Sequence, residues 1–273
     1  MRYLELQPHP RLAPFVKCFW IMEDPTAAAF QPLETVIPDG CMELIVHYGS
    51  RFTKRLDNGK YQSLPAALIA GQITTRLLLQ AGGHVGMISA RFHPAGAFPF
   101  IRNSLRGFVD DVIPLDAVWN REAVALEERI RNADSDADRV DLMQRYLLRI
   151  LDGGFKRDAV VSETVDRILA SRGRASVGDL ARHAHVTCRH LERSFEAEVG
   201  ISPKLLSRIV RFQRIFQYLQ DCPNPSWADA AYACGYFDQA HLIRDFKRFT
   251  GQPPLAYLDS RGWMCRCLTQ HPL

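Results

Sequence analysis

No stretch of this chain is apolar for long enough to span a bilayer, and the opening Met-Arg-Tyr-Leu-Glu-Leu-Gln-Pro lacks the core of a signal peptide. A cytoplasmic location without membrane contact is therefore expected. A strong charge of either sign is missing too: 34 Lys and Arg stand against 30 Asp and Glu, a formal net charge of +4, with no basic tail. Seven cysteines, an odd number at irregular spacing, argue against a disulfide framework, and no pair of Cys-x-x-Cys motifs offers a zinc site. Cys265-Arg-Cys267 can serve metal or redox chemistry, although an exposed tail is the plainer reading. No His-x-His with a downstream Glu at strand spacing accompanies His47, His84 or His93, so these read as ordinary histidines and no cofactor is implied. What remains is a chain of 273 residues, 47% hydrophobic and 23% charged, with room for two domains.

The most informative feature present is a near-duplication. Val177, Leu180, Ala181 and Ala184 fall at helical spacing, and Trp227, Ala230, Ala231 and Cys234 repeat them at an offset of 50. After one extra residue, Leu191, Arg193, Phe195, Gly200 and Pro203 match Leu242, Arg244, Phe246, Gly251 and Pro254 at an offset of 51. Each copy predicts a short helix, a tight turn and a second helix. Thr187 and Asp238 are the N-caps of the second helices. The turns are Ala184-His185-Val186 and Cys234-Gly235-Tyr236-Phe237; Gly235 takes a positive φ freely, whereas His185 has to accept one.

On the second helix of the first copy, 100° per residue puts Leu191 and Phe195 inward and Arg189 and Arg193 outward, with Glu192 and Glu196 beside them. One such helix is most simply a solvated face with ion pairs. Its repetition favours a device for reading a DNA major groove. In the second copy Leu242 and Phe246 face inward, while Ala240, Arg244 and Lys247 face out and Gln239 and His241 sit at the entry turn. Between the copies a helix opens at Ser202-Pro203 and runs to about Leu219, with an apolar stripe of Leu205, Ile209, Phe212, Phe216 and Leu219. Arg208, Arg211 and Arg214 recur every third residue along it and suit phosphate contacts, a solvated basic edge being nearly as good a reading. The electrostatic signal is local: residues 167–250 hold 13 Lys and Arg against 8 Asp and Glu.

Over about Asp158 to Ser260 the chain resembles the AraC/XylS family of bacterial transcription regulators. The resemblance rests on SVGDLARHAHVTCRHLERSFEAEVGISPKLL, on RFQRIFQYL, and on WADAAYACGYFDQAHLIRDFKRFTGQPPLAYL. It implies an all-α domain at 155–260 with two helix-turn-helix units joined by a long helix. It places base contacts on Arg189, Glu192 and Arg193, and on Gln239, Ala240, His241, Ile243 and Arg244. Thr187, Arg208, Arg211, Arg214 and Lys247 are the expected phosphate contacts. The implied partners are a double-stranded DNA operator, RNA polymerase and a small-molecule effector of unknown identity, with activation the usual response and a homodimer an open arrangement.

The first half follows another pattern. Pro38-Asp39-Gly40 predicts a turn, Cys41 to Tyr48 alternates as a strand, and residues 68–80 and 84–92 look like a hairpin around Ala81-Gly82-Gly83. A mostly β domain over 1–119, cupin-like by the resemblance and effector-sensing, is expected. A helical connector or dimerisation segment follows at 120–154, ended by Asp152-Gly153-Gly154, and a tail occupies 261–273. The fold class is thus α+β. Phe15, Phe19, Trp20, Phe92, Phe98 and Phe100 are either pocket walls or core. Two other functions stay in view: a DNA-binding repair or sensor protein using Cys18 or Cys41, and a metal-dependent enzyme. Cys18 has Lys17 beside it, yet neither thiol lies in a Pro-Cys-His-Arg setting, and the metal ligands are missing. The regulator is the expectation, with no enzymatic activity.

Overall fold

A computed structural model describes residues 1–25, 33–155, 158–222 and 226–260. Among the described residues ten strands, eleven α-helices and one short 3-10 helix (Leu105–Phe108) follow one another, with the strands confined to the first half. The strands are β1 (Arg2–Leu6), β2 (Val16–Asp24), β3 (Glu34–Val36), β4 (Glu43–His47), β5 (Phe52–Arg55), β6 (Tyr61–Ser63), β7 (Ala67–Ala70), β8 (Leu77–Ala81), β9 (Val85–Phe92) and β10 (Val112–Pro114). They form a six-stranded sheet in the order β1-β2-β9-β4-β7-β10 and a four-stranded sheet in the order β3-β8-β5-β6.

The alternation along β2 shows how these sheets are held. Phe19 and Ile21 point into one buried cluster with Leu44, Val46, Ile88 and Phe92. Cys18, Trp20 and Met22 point into another, with Phe52, Leu68, Val85 and Met87, between the two sheets. Because β9 is central and covered on both faces, all eight of its residues are buried. Helices cover the outer face: α1 (Phe98–Ile101), α2 (Leu115–Trp119), α3 (Arg121–Arg131) and α4 (Asp136–Asp152). Val140, Met143 and Leu147, expected on a connector, share the first cluster with the strands. A boundary at residue 119 therefore divides side chains that pack together.

The expected hairpin is a correction. Residues 68–80 fall into β7 of the larger sheet and β8 of the smaller, and β9 pairs with β2 and β4, not with β8. Strand patterning sets which face is buried but not which strand is the neighbour, and here the chain changes sheets between the two predicted arms.

The second half is helical: α5 (Ala159–Ala170), α6 (Val177–His183), α7 (Cys188–Val199), α8 (Pro203–Asp221), α9 (Trp227–Ala233), α10 (Gln239–Thr250) and α11 (Pro254–Ser260). Among the described residues no helix is long and apolar enough to cross a membrane. One cluster joins α6 to α11, with Leu191, Phe195, Phe212, Phe216 and Phe246 all buried in it. The Phe212 ring lies 4.9 Å from Phe249 and 5.4 Å from Phe246. Ile37 and Ala95 of the first half belong to the same cluster, so the two halves are packed against each other.

Candidate nucleic-acid interface

The duplication seen in the sequence is a duplication of hydrogen bonds. Asp179 N donates to Ser176 Oγ at 3.1 Å and Ser176 Oγ donates back to the Asp179 carboxylate at 2.6 Å. Asp229 and Ser226 repeat both bonds at the same distances. These boxes start α6 and α9 by satisfying amides that a helix leaves unpaired. Thr187 accepts from His190 N to start α7, and Asp238 accepts from His241 N to start α10. In the turns, Val186 N donates to Ala181 O and Tyr236 N to Ala231 O. His185 has φ +54° and Gly235 φ +81°, so the histidine does adopt the conformation that glycine holds in the other copy.

Each second helix then presents an amphipathic cylinder. Leu191, Phe195 and Val199 of α7 are buried, as are Leu242, Phe246 and Phe249 of α10. Thr187, Arg189, Glu192 and Arg193 are exposed, as are Gln239, Ala240, Arg244 and Lys247. His241 and Ile243 are half-buried: the His241 ring stands edge-on to Tyr236 at 5.1 Å, and Ile243 packs on the core. A groove of about 610 Å³ follows the outward face of α7, walled on its other side by Ser104 and Arg106 of the first half.

The three arginines of α8 are placed unlike one another. Arg208 donates to the Asp245 carboxylate at 2.6 Å, and Arg211 donates to Gly173 O. Internal partners therefore occupy two of the three groups expected on phosphate. Burial lowers the pKa of Arg211 below the usual guanidinium range. Arg214 is also lowered, first by burial and then by the nearby charges of Arg172 and Arg174. Arg172, Arg174 and Arg248 are exposed cations that the sequence reading passed over, since none belongs to the repeated motif. Tyr232 and Phe237 were passed over too, and they are 85% and 93% exposed beside the second turn.

A family described as a helix-turn-helix domain matches residues 180–260, and a domain family of unknown function (DUF6597) matches residues 4–114. Through the former, the chain carries a helix-turn-helix domain over residues 180–260. It is 29% identical to the HTH-type transcriptional regulator GlxA of Rhizobium meliloti (strain 1021) over 136 residues, half of this chain and 38% of that protein. The chain thus spans well under two thirds of that relative. Among solved structures, an apo variant of ToxT from Vibrio cholerae strain SCE256 has a TM-score of 0.46 at 11% identity, covering 91% of this chain and 98% of that one. ToxT from Vibrio cholerae O395 has a TM-score of 0.45 at 12% identity, covering 85% and 97%.

The other candidate chemistries meet different surroundings. Cys18 and Cys41 are both buried, and burial pushes the Cys18 thiol up to about 12 and raises Cys41 as well. Thiols so placed are poor nucleophiles. Among the described residues no group of three His, Cys, Asp or Glu is placed to hold a metal ion. Cys265 and Cys267 lie outside the described residues.

Proposed function

We propose that this protein is a transcription regulator of the AraC kind that binds a specific double-stranded DNA operator through α7 and α10 and regulates transcription from it. The observation that carries this reading is the equivalence of the two units, down to their capping bonds, with Arg189 and Arg193 on one outward face and Arg244 and Lys247 on the other. At 1.5 Å per residue α8 is about 28 Å long, comparable to the ~34 Å repeat of DNA, and its shared core with both units fixes one recognition helix relative to the other.

In this proposal Arg189, Glu192 and Arg193 read one half of the operator; Gln239, Ala240 and Arg244, flanked by His241 and Ile243, read the other. Thr187 and Lys247 contact phosphates, and Arg214 does so with Arg172 and Arg174. The first half holds a small-molecule effector and shifts the population of chains competent to hold the operator and touch RNA polymerase, with activation as the expected sign. The protein acts in the cytoplasm and is not an enzyme. Genome-wide mapping of bound sites, paired with transcript levels in cells with and without the protein, tests this: bound sites should lie upstream of genes whose transcripts fall when the protein is removed.

A further inference from the structure

Between the two sheets of the first half lies a cavity of about 90 Å³. Its walls are apolar, with Trp20, Ile45, Phe52 and Leu79 among them, and its polar end is formed by Arg91, Glu43 and Asp39. Arg91 is 2% exposed, and it is the cavity's cation, since burial pushes the nearby His47 down to about 4 and leaves it neutral. The guanidinium is unevenly held. Its Nε donates to Glu43 at 2.7 Å, and Trp20 Nε1 and Ser89 Oγ support the same carboxylate. Its terminal nitrogen, in contrast, reaches Asp39 only at 3.5 Å. Carboxylates on a guanidinium prefer paired bonds of about 2.8 Å, so this edge of Arg91 is open to a better partner.

Asp39 sits in a strap with a separate role. On one side of it the Pro38 carbonyl accepts from Gln213 Nε2 of α8, the helix between the two recognition units. On the other side the Gly40 carbonyl accepts from Gln72 Nε2 of the first half, at 2.8 Å. Both glutamines are buried, and the amide oxygen of each has no hydrogen-bond partner. Ile37, one residue earlier, is buried in the helical core. The same four residues thus touch the cavity's cation and the helix that sets the spacing of the recognition units.

We propose that the cavity binds a small apolar carboxylic acid whose head group takes the place of Asp39 on Arg91, and that the displaced Pro38-Asp39-Gly40 strap loosens its tie to Gln213. This rests on the reading of the first half as the sensory part of a regulator, and it names the ligand class and the route of the signal. A cavity of ~150 Å³ holds a benzene-sized group, so this one takes a tail of about four carbons. Two carboxylates already share one guanidinium, and a third enters only if one departs. Asp39 is the one able to leave, being 20% exposed where Glu43 is 14% exposed and hydrogen-bonded by three side chains. Once it leaves, the Cys41 amide loses its acceptor, Asp39 Oδ1, at present 3.0 Å away.

Hydrogen exchange on the full chain with pentanoate, pentan-1-ol and pentylamine tests each step. Pentanoate should slow exchange in β2, β4 and β9 and speed it roughly tenfold in residues 37–42. The alcohol and the amine should do neither. Asp39→Asn should show the faster exchange at 37–42 without any acid. In Gln213→Leu, checked for native circular dichroism, pentanoate should still protect the strands but no longer alter exchange in α8. Protection by the alcohol or amine and not by the acid, or by none of the three, overturns the ligand class. Protection by pentanoate with no change at 37–42 overturns the strap. Binding of the same preparation to a selected DNA site is scored separately, so the regulator reading stands or falls by itself.

Discussion

Arg208 on α8 and Asp245 on α10 form an ion pair of 2.6 Å in which the aspartate side chain is only 5% exposed. The pair ties α8 to α10, and Arg208 also lies 5.5 Å from the Phe249 ring. Removing the arginine leaves the buried carboxylate with only the imidazole of His241, 4.0 Å away, beside it. Arg208→Ala should therefore destabilise the chain by about 2–3 kcal/mol, read as a lower urea midpoint. A variant of unchanged stability whose DNA binding loses about one unit of salt slope would return Arg208 to a phosphate role.

Arg189 and Arg193 share the outward face of α7. At least one should bond a guanine edge through two hydrogen bonds, with Glu192 placed to accept from a cytosine amino group. Changing that arginine to alanine should cost about 1–3 kcal/mol of operator affinity and relax one base position, measured by titration against single-base operator variants. Equal losses on all sequences would make both arginines phosphate contacts.

His47 makes folding depend on pH. It is 3% exposed and its pKa is pushed down to about 4, chiefly by burial, against 6.5 for a free imidazole. The unfolded chain therefore binds this proton more readily than the folded one, and stability is lost as pH falls from about 6.5 towards 4. The full span corresponds to about 3 kcal/mol. Thermal melts between pH 7.5 and 4.5 should show this slope, and His47→Leu should flatten it.

Thiol reactivity separates the regulator from a protein with a working cysteine. Cys188 and Cys222 are exposed, whereas Cys18, Cys41 and Cys234 are buried, the last with its thiol pushed up to about 11. Alkylation of the native chain followed by peptide mapping should label Cys188 and Cys222 quickly and the other three only on unfolding. Fast labelling of Cys18 or Cys41 would revive the reactive-cysteine reading.

The helical half was legible because its signals are local. Caps at Thr187 and Asp238, and the positive φ at His185, all follow from residues within four positions of one another. What stayed hidden depends on distant partners. A three-residue spacing put Arg208 and Arg211 at the edge of a stripe, yet Asp245 and Gly173, each more than 35 residues away, decide where the guanidinium groups go. The apolar stripe of α8 is broader than its spacing predicts, taking in Leu206, Val210 and Ile215, because the helix is enclosed by both units. In the first half, β8 and β9 are neighbours in sequence in different sheets, and Arg91 gains meaning only beside Glu43 and Asp39.

In the proposed complex two equivalent helices each read part of one operator. Selection of binding sites from random duplexes measures it directly, with the full chain, with Arg189→Ala/Arg193→Ala, and with Gln239→Ala/Arg244→Ala. The full chain should enrich two conserved blocks about one helical turn apart. The α7 variant should lose one block and keep the other, and the α10 variant should do the reverse. A selection that enriches nothing, or both variants losing the same block, would contradict division of the operator between α7 and α10.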